Sequence, residues 1–163
     1  MPNQPTPPVL VEVTRGPAVE SRHRGQIVVI DAQGKLIHQL GDPEALVCLR
    51  SLAKPFQALA VLTSGAAAAF GFKGAELALF SGSLSGQNFQ TFLITSILER
   101  LGLKPEVLQC GTHPPLHKPT AQALAKAGQQ PGPLQHTCAG KHTAMLALCV
   151  HHGSEESDVA GSA

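Results

Sequence analysis

Ser51 and Lys54 stand three residues apart in CLRSLAKPFQAL (48–59), a spacing that can pair a nucleophile with its base. A serine hydroxyl attacks poorly until something takes its proton. A lysine can take it when burial or a neighbouring cation favours the neutral amine. Residues three apart on a helix share a face and can touch. Pro55 has no N–H and suits the first helical turn, so a helix is expected to begin there. Ser51 and Lys54 then stand at its entrance, where backbone N–H groups and the positive end of the dipole meet a reacting oxygen. The pair is weak evidence by itself. Ten serines and seven lysines among 163 residues give about 0.4 such spacings by chance. A helix lead-in with an exposed lysine fits the same residues.

Three further stretches hold chemistry-bearing side chains. FSGSLSGQ (80–87) is a loop in which Ser81, Ser83 and Ser85 alternate before a long helix. It can offer a second proton-transfer serine or oxyanion donors, or simply cap the helix. QCGTHPP (109–115) sets Cys110 and His113 in a turn forced by Gly111 and Pro114. One thiol and one imidazole fall short of a four-ligand metal site, and a buried cysteine beside a turn histidine explains them equally. HTCAGKH (136–142) is denser, with His136, Cys138, Lys141 and His142 around Ala-Gly at a helix entrance. Cys138 lies three residues from Lys141 and four from His142, so either pair can share a metal or an anion. A lysine ligand must first lose a proton.

The elements that must position these residues are legible in outline. VLVEVT (9–14), QIVVID (26–31) and KLIHQL (35–40) read as an antiparallel meander with turns near Gly16 and Gly34. From Pro55 the period becomes helical, with Gly65 dividing the run. The strongest helix spans 86–102, with Phe89, Phe92, Leu93, Ile97 and Leu101 on one face, Ser85 as N-cap and Gly102 as stop. Shorter helices are expected over 119–128 and 141–152, the last ending at Gly153 with His151 and His152 solvated. Residues 1–8 are a Pro-rich, disordered lead-in, 9–152 the folded region, and 153–163 a small, polar, disordered tail. Strands followed by helices give an α+β class.

Composition narrows the partners. Apolar residues at 43% against 14% charged exclude a disordered chain, and the absence of Trp and Tyr makes for a lean core. A formal charge of +1 with scattered cations gives no case for nucleic acid or an anionic membrane. MPNQPTPPVL has neither the basic nor the apolar region of a signal peptide, so the cytoplasm is the expected compartment and the four cysteines are read as thiols.

Taken together and in order, RSLAKPFQAL, SGSLSGQ, QCGTHPP and CAGKHTAML closely resemble the N-terminal part of the L-asparaginase II family, the rhizobial-type asparaginases. VESRHRG (19–25) is similar to that family's early segment, and the resemblance runs from about Arg15 to Cys149. It implies hydrolysis of the L-asparagine side-chain amide to L-aspartate and ammonia. It also implies a fold like that of serine β-lactamases and penicillin-binding proteins, an antiparallel sheet with packed helices, here apparently truncated. By position, Ser51 matches the nucleophile, Lys54 its base, and Ser83 the second active-site serine. Cys138 and Lys141 match two protein ligands of a Zn2+ site. Arg50, His113 and His142 occupy motif positions without an assigned role. A homodimer is implied for the full-length family.

The resemblance has departures. Leu84 stands where a histidine is usual after the second serine, and Gln87 where an acidic residue is usual. Family members run to about twice this length. The third protein zinc ligand and a lysine that pairs with the second serine belong to the part not present in these residues. The alternatives are therefore an inactive fragment or pseudoenzyme of the family, and another serine hydrolase of β-lactamase-like type.

Overall fold

The structure is a computed structural model that describes residues 5–153. It divides into two compact units, Met1–Cys48 and Leu49–Ala163. Residues 1–4 of the lead-in and 154–163 of the tail lie outside the described residues.

The first unit contains two hairpins. β1 (Val9–Arg15) pairs antiparallel with β2 (Ala18–Arg24), and β3 (Ile27–Ile30) with β4 (Leu36–Leu40). The expected meander is thus corrected to two separate two-stranded sheets, one of which uses a strand that the sequence did not signal. AVESRHR has one large apolar residue, Val19, and no alternation. What recruits it is cross-strand pairing: Glu12 faces Arg22 in the register, and the Arg22 Nε donates to Glu12 Oε1 at 2.7 Å. The second hairpin turns on Asp31, whose Oδ1 accepts from the N–H groups of Gln33 (2.9 Å) and Lys35 (2.8 Å). Gly34 takes the left-handed conformation (φ 82°) that this turn needs.

The second unit is helical. A 3-10 turn at Arg50–Ala53 runs into α1 (Lys54–Thr63), followed by α2 (Ala66–Ala69), α3 (Gly74–Ser81), α4 (Asn88–Arg100), α5 (Lys118–Lys126) and α6 (Ala139–His152). Pro55 falls in the first turn of α1, and Gly65, with φ 88°, separates α1 from α2 as expected. α6 packs on α1, α3 and α4, and Val61, Phe80, Ile94, Ile97, Leu98 and Ala147 at their junctions are fully buried. A Cβ on Gly140 would sit 2.2 Å from the Leu79 carbonyl oxygen, so only glycine allows α6 and α3 to come this close. Strands and helices together make the chain α+β, as expected.

Four local features differ from expectation. α3 was not anticipated; its sequence GAELALFS begins with glycine and carries no clean stripe. It is held by Glu76, which accepts from the Lys73 N–H (2.8 Å) and pairs with Arg100, itself stacked over Phe72. The buried face of α4 is Ile94, Ile97 and Leu98, while Phe89 and Phe92 are 59% and 72% exposed. The N-cap of α4 is Gln87, not Ser85. The amide of Gln90 turns back to accept from the N–H groups of Ser85 and Gln87, each at 3.1 Å, which starts the helix later. His151 is not a solvated end: its Nε2 lies 3.1 Å from the Ser64 carbonyl and its ring meets Phe70 edge-on.

Candidate active site

Arg50, Ser51, Lys54, Gln57, Cys138 and Lys141 line one cleft of about 270 Å³. The first four come from the 3-10 turn and the first two turns of α1, the last two from the start of α6. The helical spacing of 51, 54 and 57 turns Ser51, Lys54 and Gln57 toward the same opening. Arg50 holds a left-handed backbone (φ 49°), unusual for a residue with a Cβ, directly before Ser51. Such strain is of order 1–3 kcal/mol and clusters where a side chain must be aimed. Arg50 and Lys141 line the cleft and no carboxylate does, so it favours an anionic group on whatever enters.

Lys54 is the buried member, 2% exposed. Its Nζ donates to Ser83 Oγ at 2.8 Å and to the Thr137 carbonyl at 3.3 Å. Neither bond goes to Ser51, which is exposed at the mouth.

The loop carrying Ser83 is fastened on both sides. The Leu84 N–H donates to the Thr137 carbonyl (3.0 Å), and the His117 N–H to the Ser85 carbonyl (2.9 Å). Gly86 is left-handed (φ 77°), and a Cβ there would meet the Gln135 carbonyl oxygen at 2.9 Å. Of the three alternating serines, Ser81 turns back to its own helix, donating to the Leu77 carbonyl (2.9 Å). Ser85 receives the Gln87 side-chain amide (2.9 Å), and only Ser83 meets Lys54. Leu84 is buried in the core against α6, within reach of Gly140.

The family model for L-asparaginase II matches residues 11–161 of the 163. The chain belongs to the L-asparaginase II family. No curated protein is similar enough to count as a match. In this family member, the two motif departures have local structural roles: Leu84 fills the core, and Gln87 caps α4 while bonding Ser85.

Cys138 and Lys141 share the cleft with Ser51, so the residues marked as metal ligands and as nucleophile do converge. By themselves the two do not complete a zinc site. Among the described residues no group of three or more His, Cys, Asp or Glu side chains is placed to hold a metal. One thiol and one amine supply two donors where zinc sites use three or four protein ligands. Each neighbouring imidazole bonds the backbone through one nitrogen: His136 Nδ1 accepts from the Cys138 N–H (2.9 Å), and His142 Nδ1 donates to the Cys138 carbonyl (3.0 Å). Burial pushes both imidazoles below the ordinary histidine value of 6.5. The neighbouring His113 and His142 add to this for His136; for His142 the Cys138 carbonyl opposes it and Lys141 adds to it. Burial raises the Cys110 thiol.

Two participants escaped the sequence reading. Gln57 lines the cleft one turn beyond Lys54, and extending the i, i+3 face past Lys54 would have found it. Thr137 acts through its backbone carbonyl, for which a side-chain motif has no symbol. No described helix is long and apolar enough to cross a membrane.

Proposed function

We propose that this chain is an asparaginase-type amidohydrolase in which Ser51 is the nucleophile, Lys54 its base and Ser83 a proton-transfer partner. The observation that carries the reading is the buried Lys54, bonded to Ser83 in the cleft it shares with Ser51, within a member of the L-asparaginase II family. Neutral Lys54 takes the Ser51 hydroxyl proton as Oγ attacks the amide carbon of L-asparagine. The proton returns to the departing nitrogen, directly or through the Ser83 hydroxyl, and ammonia leaves. Water then attacks the seryl ester, which releases L-aspartate and restores the serine. Arg50 and Lys141 suit the substrate's α-carboxylate, since both are cations on the cleft wall. The Ser-x-x-Lys pair is also that of serine β-lactamases and penicillin-binding proteins, and we extend the likeness of mechanism to a likeness of fold. No step runs through a metal.

A second reading, an inactive family member, draws on the direction of the Lys54 hydrogen bonds: they go to Ser83 and Thr137, not to Ser51. Ammonia release from L-asparagine by the wild-type chain and by Ser51→Ala separates the two. Release that depends on Ser51 supports the enzyme; none from either supports the inactive member.

A further inference from the structure

His113 lies outside the cleft lining, yet every polar atom of its ring is engaged. Nδ1 stands 2.7 Å from the Pro114 carbonyl, and a carbonyl can only accept, so Nδ1 carries the proton. Nε2 receives the Thr137 N–H at 3.1 Å and is therefore bare. The Thr137 hydroxyl is also near Nε2 at 3.4 Å, and the ring rests against His136 with centroids 4.4 Å apart. The other side of the same residue, the Thr137 carbonyl, receives Lys54 Nζ and the Leu84 N–H. One residue thus joins His113, the base Lys54 and the loop that carries Ser83. We infer that His113 is a positioning residue: as the Nδ1–H tautomer it fixes Thr137, whose carbonyl aims Lys54 at Ser83.

The inference rests on reading Lys54 as the base, but it makes a separate claim, that one ring acceptor at the ε position sets where the amine sits. Two replacements divide the ring's roles. His113→Gln puts an amide oxygen near the ε position and can still accept from the Thr137 N–H. His113→Asn can meet the Pro114 carbonyl but is too short to reach Thr137. A fluorophosphonate probe reports Ser51 activation without any amide substrate, with the adduct mapped by mass spectrometry. The expected result is labelling within about threefold of wild type for His113→Gln and a loss of about tenfold or more for His113→Asn, with asparagine turnover falling in kcat and not KM. Wild-type labelling by His113→Asn, or equal losses in both variants, overturns the proposal. If the wild-type Ser51 takes no label, the serine-nucleophile reading fails, and the 15Nζ resonance of Lys54 decides the His113 proposal alone. A resonance that moves in His113→Asn and is restored in His113→Gln upholds it, and one that moves in neither overturns it.

Discussion

Lys54 is the residue on which the site turns. Its Nζ group is buried, with the Ser83 hydroxyl and the Thr137 carbonyl for partners. Lys54→Met keeps the apolar stem and removes the amine, so asparagine hydrolysis should fall by about 10³-fold with the fold intact. Ser83→Ala removes only the hydroxyl that Lys54 contacts, and a loss of about 10²-fold in kcat is expected. Steady-state ammonia release, with circular dichroism to verify folding, measures both. Side-chain proximity was legible at this scale: Ser51, Lys54, Cys138 and Lys141 do share a cleft. It missed the Thr137 carbonyl and the left-handed Arg50 because backbone groups and backbone dihedrals leave no mark in residue type.

Helix positions were legible where punctuation is strong. Pro55, Gly65 and Gly153 begin, divide and end helices as their backbone chemistry requires. Burial was less legible, as α4 shows. Large aromatics drew the expected stripe onto Phe89 and Phe92, but the helix turns its β-branched and leucine face inward. Phe92→Ser should therefore change stability by less than about 0.5 kcal/mol, whereas Ile97→Ala should cost about 3 kcal/mol in denaturant unfolding. The α3–α6 contact depends on a missing side chain. Gly140→Ala drives a methyl into the Leu79 carbonyl, a backbone atom that cannot swing aside, and should cost at least about 2 kcal/mol. Because Leu79 precedes the Ser83 loop, the same variant should lower activity beyond its effect on stability.

Across the whole chain, composition set the class and the residue order set the family, but the number of sheets was hidden. β2 pairs through charges on a strand without alternation, a tertiary preference that no periodicity reveals. Stability of the folded chain should depend on pH through the helical unit. His136 and His142 both have folded-state values below 6.5, held there first by burial. The unfolded chain then binds more protons just below neutrality, so stability is full above about pH 7 and declines as pH falls through about 6.5 toward the lowered values. Thermal melts between about pH 5 and pH 8 should show this slope, and His142→Gln should flatten it. The account as a whole stands on Ser51 as the attacking group. Ammonia released from L-asparagine by the wild-type chain should fall by about 10³-fold or more in Ser51→Ala. Release that survives the substitution, or none from the wild type, would contradict it.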